Sequence, residues 1–201
     1  IYGTARYKDD KAVAIGIVAT GIMYNKKVFD EKKWAPPTSW KDLKDPKYKK
    51  QLVVPPLNNT YGLHALVEYA REGGGSEKKI DAGFTTFKNE VGPNVLVYEP
   101  SPGKMTELFS SGQAVISVWG SGRAKSFADT GFPVGFVYPQ EGAYALLSSV
   151  CPVAKSATNP LAQAFVQYLV TPEVQEKLAS AYGYGPVNKK AKVEDLSLIH
   201  I

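Results

Sequence analysis

The sequence predicts an α/β fold, and three observations carry that prediction. Apolar runs of strand length alternate with stretches of helical period along the chain. Glycine, proline or a capping side chain marks most of the switches between them. The composition, 44% hydrophobic and 21% charged over 201 residues, leaves enough apolar chain to bury a sizeable core in one large domain or two small lobes.

Residues 12–24 read as an extended strand of small and β-branched residues, and "NKKVFDEKKW" as a short helix or turn. Thr38 or Ser39 can cap a short helix that holds Trp40 and Leu43 and is limited by Pro46. "QLVVPPL" is a strand stopped by Pro55 and Pro56. Asn59 or Thr60 caps the next helix, whose inward positions are Leu63, Leu66, Val67 and Ala70, and the glycines at 73–75 end it. Another helix presents Ile80, Phe84, Phe87 and Val91 before Gly92-Pro93. Then come the strand "NVLVYEP", a helix with Met105, Leu108 and Phe109 inward, the strand "QAVISVW", the helix "RAKSFADTG", and the strands "FPVGFVYP" and "YALLSSVCPV". Two helices follow, lined by Leu161, Phe165 and Leu169 and by Val174 and Leu178. Strand–helix alternation of this kind predicts mostly parallel pairing. The tail 194–201, "EDLSLIHI", lacks caps, continues nothing before it and reads as an artefactual or disordered end.

The net charge is +5, but the lysine pairs at 26–27, 32–33, 49–50, 78–79 and 189–190 fall in separate segments. That spread reads as solvated faces and not as a nucleic-acid surface. No run approaches the roughly 18 apolar residues of a membrane span. The chain opens on Ile1 and goes quickly into a strand, so it reads as a fragment of a longer protein. Cys151 stands alone, and its apolar neighbours predict a buried, inert thiol. The two histidines, His64 and His200, sit in no nucleophile or metal motif, and no cofactor or metal is expected.

Three stretches deserve chemistry. "VWGSGRAKS" has a strand, a tight turn and a helix start, but Ala124 and Trp119 occupy the positions where a P-loop needs glycine. What remains is a helix N-terminus that favours anions, with Arg123 able to grip an acid group and Trp119 offering a ring face. The alternative is a core tryptophan and a surface arginine. "NNTYG" opens a helix at a strand end, where Asn59 and Thr60 either face a ligand or merely cap. "YEPSPG" puts Glu99 at another strand end, where turn chemistry explains the prolines and glycine equally well.

Several ordered blocks, "TGIMYN", "TSWKDLKDPKYKK", "AVISVW", "YPQEGAYALLSSVCPVAK" and "AYGYGPVN", resemble the extracellular solute-binding proteins of ABC importers, particularly the spermidine/putrescine-binding group. The resemblance covers about residues 13–193. It implies a two-lobed, type II periplasmic-binding fold in which the first half of lobe one is missing. Residues 1–20 would end the first pass through lobe one and 21–143 would form lobe two. Residues 144–171 would return to lobe one, and 172–193 would pack back on lobe two. It also implies a periplasmic, monomeric binding protein with no catalysis, served by a permease and an ATPase. Its full-length form would carry a signal peptide, and its ligand would sit in a cleft between lobes. The polyamine group has a tryptophan at the position of Trp119, and that residue is kept. Its acids near Leu57, Thr60 and Ser148 are absent here. A multiple cation needs several carboxylates to replace its water. The expected solute is therefore anionic or zwitterionic: an amino-acid-like compound, γ-aminobutyrate, an opine or a phosphonate. Arg123 would hold the acid, Trp119 would pack the chain, Asn59, Thr60 and Ser148 would donate hydrogen bonds, and Glu99 would meet an amine. A polyamine is the alternative, and a ligand-sensing domain of a transcription regulator is a second. Tyr182 and Tyr184 echo the ferric-binding branch, but too few oxygen ligands accompany them.

Overall fold

In the computed structural model, described over residues 1–7, 11–153 and 159–193, the longest strand is β1, Val13–Asn25. It is buried along most of its length, as its continuous run of small and branched apolar residues requires. β1 runs through both units of the chain. One unit is Ile1–Ala19 with Ala145–Ile201, and the other is Thr20–Tyr144.

The second unit continues with α1 (Lys26–Glu31), β2 (Leu52–Val54), α2 (Thr60–Glu72), α3 (Asp81–Thr86), β3 (Val95–Tyr98) and α4 (Pro102–Ser110). It closes with β4 (Ile116–Gly120), α5 (Ser121–Ala128) and β5 (Val134–Val137). The strands are ordered β3-β2-β4-β1-β5. β2 is parallel to β3 and β4, whereas β1 is antiparallel to β4 and β5, with Thr20 opposite Gly120 and Tyr24 opposite Ile116. The sheet is thus mixed where mostly parallel pairing was expected. β4 and β5 do run the same way, joined through α5, but β1 is inserted between them in the opposite sense.

Strand alternation divides the core between the two faces of this sheet. One face packs Ile22, Leu52, Val54, Ile116 and Val118 against Leu66 and Tyr69 of α2 and against Trp40, Leu43 and Tyr48. The other packs Met23, Val53 and Trp119 against Met105 and Phe109 of α4 and Phe127 of α5. Two helices differ in phase from their expected faces. In α2 the buried positions are Gly62, Ala65, Leu66, Glu68, Tyr69 and Ala70, while Leu63 is 42% exposed. After α3 the chain winds a π turn, Phe87–Val91, which re-phases the helix; Phe87 and Val91 are buried, and Phe84 is 48% exposed.

The excursion between α1 and β2 contains a 3-10 helix, Trp40–Lys44, with a capping box between Ser39 and Asp42. It is pinned by Asn94, whose side-chain amide donates to the carbonyls of Leu43 (2.9 Å) and Asp45 (2.8 Å).

In the first unit β6 (Tyr144–Val150) pairs with β1, and α6 (Pro160–Leu169) and α7 (Pro172–Tyr182) follow. Its buried apolar cluster is small: Ala5, Ala14, Ile17 and Val187. Leu161 and Phe165, expected to face a core, are 80% and 60% exposed, because no described element covers that side of α6. α7 belongs to this unit and not to the lobe assigned to 172–193 by the resemblance. Gln175, 1% exposed, explains its placement: it donates to the carbonyls of Ile15 and Leu169, both at 2.8 Å, and accepts from Val187 N–H at 2.7 Å. Cys151 is exposed, contrary to expectation, since β6 ends at Val150 and the thiol starts the following loop. The tail 194–201, with His200, lies outside the described residues.

Candidate functional site

Parallel pairing of β2, β3 and β4 brings their carboxyl ends to one edge of the sheet. Each strand there leads into a helix: β2 through Pro55–Asn59 into α2, β3 through Glu99–Ser101 into α4, and β4 directly into α5. Three helix N-termini, each with unsatisfied N–H groups and a partial positive charge, therefore open at the same edge. Two of them are capped by side chains. Asn59 Oδ1 accepts from Tyr61 N–H at 2.9 Å, and Ser101 Oγ accepts from Lys104 N–H at 3.4 Å. α5 begins at Gly120 with no side-chain cap, so its first turn keeps the most donor capacity for a ligand.

Close backbone approach shapes this edge. A Cβ on Gly62 would lie 2.2 Å from the Pro55 carbonyl oxygen, so only glycine lets the first turn of α2 fold back on the preceding turn. The Tyr61 hydroxyl reaches over Gly120, where a Cβ would stand 2.3 Å from it, and the Tyr61 ring packs 5.5 Å from that of Trp119. Tyr138 follows β5 toward the same edge. Burial pushes the pKa of its hydroxyl up to about 12, and the Ser121 side chain works against that rise. Tyr61, Ser121 and Tyr138 were missed in the sequence. An aromatic residue directly beside a strand-end turn is the signal that marks Tyr61 and Tyr138.

The residues expected at a site fare differently. Trp119 and Arg123 do lie together, lining a cavity of about 120 Å³ with Pro102, Thr106 and Thr130. Trp119 is only 3% exposed, however, so its ring packs as core and offers no open face. Arg123 is exposed in the first turn of α5. Asn59 is the cap of α2, and Thr60, its first residue, is exposed. Glu99 Oε1 accepts from Ser101 N–H at 2.8 Å, which makes it a turn-forming carboxylate. Ser148 is half-buried on β6, in the other unit.

Two further cavities have different character. One of about 360 Å³ is lined by Trp40, Lys41, Glu68, Arg71, Glu72 and Glu141. The larger, about 730 Å³, lies in the first unit among Val13, Val150, Arg6, Gln163 and Val166. It is an open groove that mixes apolar Val13, Val150 and Val166 with the polar side chains of Arg6, Lys11, Gln163 and Gln167, and size alone does not make it the site. Among the described residues no group of three or more His, Cys, Asp or Glu could hold a metal ion.

Residues 2–196 match the family described as bacterial extracellular solute-binding protein. The chain belongs to that family. It is 26% identical over 175 residues to the spermidine/putrescine-binding periplasmic proteins of Escherichia coli (strain K12) and Salmonella typhimurium, covering 87% of this chain and 49% of theirs. The chain thus spans about half the length of these relatives. An ABC transporter structure from Clostridium perfringens ATCC 13124 superposes with a TM-score of 0.76 at 25% identity, over 92% of this chain and 58% of that one. A periplasmic binding protein from Actinobacillus pleuropneumoniae with exogenous fructose-6-phosphate bound has a TM-score of 0.72 at 22% identity, over 95% and 59%. The fold is α/β, of the periplasmic-binding-protein kind.

Proposed function

We propose that this chain is part of the solute-capturing component of an ABC importer, and that it takes a small anionic or zwitterionic solute. An amino-acid-like compound, γ-aminobutyrate, an opine or a phosphonate fits this description. One observation carries the reading: three helix N-termini share one sheet edge, the uncapped one carries Arg123, and the three turns contain a single carboxylate. That carboxylate, Glu99, already accepts from its own turn. Backbone donors and a guanidinium suit a carboxylate or phosphate group. A polyamine would find one acid where it needs several.

On this reading Arg123 holds the acid group, while Thr60 and the first turn of α5 donate hydrogen bonds. Asn59 and Ser148 are the further donors, Glu99 meets an amine where the solute has one, and Trp119 supports the edge from within the core. Capture involves no chemistry, takes place in the periplasm, and hands the solute to a membrane permease and its ATPase. The names of the Escherichia coli and Salmonella relatives favour a polyamine as the second reading. The sugar phosphate of the Actinobacillus structure belongs with the anionic one.

Calorimetric titration of the full-length protein separates these readings. Carboxylate or phosphate solutes should bind, and Arg123→Ala should weaken them by roughly 10- to 100-fold, the range for losing a charge-assisted hydrogen bond. Tight spermidine or putrescine binding that survives Arg123→Ala overturns the anionic reading in favour of the polyamine.

A further inference from the structure

The chain's excess charge is not spread evenly. Residues 26–50 hold nine lysines against four acids, an excess of five that equals the net charge of the whole chain, +5. In the fold this segment gathers at one place. Asn25 N–H donates to the Val115 carbonyl, Val115 N–H to that of Gln51, and Gln51 N–H to that of Asn94. These bonds bring the end of β1 and the starts of β2, β3 and β4 together at the amino edge of the sheet, opposite the carboxyl edge that carries Arg123. Lys26, Lys27, Lys32, Lys33, Lys47, Lys49 and Lys50 are all exposed there.

Few of these charges are neutralised. Lys27 stands 4.0 Å from Glu31 and Lys47 3.0 Å from Asp45, while Asp30 is the other acid of α1. Behind them Lys44 bridges Glu72 and Glu90. Among the described residues Lys26, Lys32, Lys33, Lys49 and Lys50 make no ion pair. Half-buried Trp34 sits among them, with Lys32 Nζ 4.4 Å and Lys47 Nζ 5.8 Å from its ring.

Four of the lysines occupy positions where the local backbone prefers something else. Lys26 and Lys27 form the first turn of α1, where the helix dipole disfavours cations. Lys33 (φ 55°) and Lys50 (φ 57°) are the only non-glycine residues with left-handed backbone among the described residues. Lys33 occupies the position after the α1 cap that usually holds glycine: its N–H donates to the Asp30 carbonyl, that of Trp34 to the Phe29 carbonyl, and Trp34 packs on Phe29. Local rules broken together at one patch mark a place shaped by something other than folding.

We propose that this amino-edge patch is a docking surface for an anionic phospholipid membrane. The segment contains no arginine, so it lacks the planar forks that select defined carboxylates on a protein partner. Flexible ammonium groups around an indole match phosphate headgroups above a bilayer interface. This occupant rests on the proposed function, in which the chain hands its solute to a permease embedded in a bacterial membrane.

Co-sedimentation of the full-length protein with vesicles tests this. Vesicles containing phosphatidylglycerol should bind it, those of phosphatidylcholine alone should not, and added salt should release it. The variant carrying Lys26→Ser, Lys27→Ser, Lys33→Gly and Lys50→Gly should bind about tenfold less or weaker still. Because each change suits the local backbone, its thermal midpoint should be unchanged or higher. Its solute titration should also be unchanged, since Arg123 lies at the other edge. Equal binding to both vesicle types, or undiminished binding by the variant, overturns the proposal. Binding to polyglutamate but not to vesicles overturns it too, and gives the patch to an acidic protein.

Discussion

His64 lies in the second turn of α2, with Nδ1 2.8 Å from Thr20 Oγ1 and its ring stacked 5.1 Å from that of Tyr144. Burial lowers its pKa from the ordinary 6.5. The unfolded chain therefore takes up the proton first as pH falls, so this histidine contributes stability that is present above about pH 6.5 and is lost toward its lower folded pKa. Denaturant unfolding of the wild type should show stability declining as pH falls through about 6.5, and His64→Gln should flatten that part of the profile. At this scale the sequence announced caps well: Asn59 and Ser39 do what their side chains predict. It could not say whether Trp119 faces solute or core. Alternation assigns Trp119 to one face of the sheet, but only packing by Phe109 and Phe127 shows that this face is closed.

Among elements, the irregular excursion from α1 to β2 depends on a side chain outside it. Asn94 is 2% exposed and bonds two of its carbonyls, while its own carbonyl accepts from Gln51 N–H. Asn94→Ala leaves the Leu43 carbonyl without its donor and the Asp45 carbonyl with Tyr48 N–H alone, and should cost about 1–3 kcal/mol, read as a lower denaturation midpoint with an unchanged slope. Nothing local in "GPNVL" signals this, because the partners are 49 and 51 residues away. The same limit hid the lysine patch, whose pairs look unrelated until β1, β2 and β4 bring them together. Element types were legible nearly throughout, from periodicity and punctuation. Phase was less so: a π turn moved the buried side from Phe84 to Phe87, and hydrophobic period in α6 predicted a face without revealing that nothing described here covers it.

Across the whole molecule, burial is uneven. The second unit has large side chains buried on both faces of its sheet, among them Trp40, Tyr48, Tyr69 and Phe109. The first relies on a cluster of two alanines, an isoleucine and a valine, plus the bonds of Gln175. Native-state hydrogen exchange of the 201-residue chain should therefore protect β2 and β4 most strongly and α6 least. Slow exchange in α6 comparable to β4 would contradict that ranking. The antiparallel insertion of β1 was not legible, since strand–helix alternation reads the same whichever way a strand enters the sheet. The carboxyl edge has one more consequence. Most of its donors are main-chain groups supplied by helix starts, and those exist whatever side chains stand at Leu57, Thr60, Glu99 or Arg123. If solutes bind at this edge as proposed, cargo preference can drift through a few exposed positions while the scaffold that presents them stays intact, so chains that share this architecture could carry solutes of opposite charge.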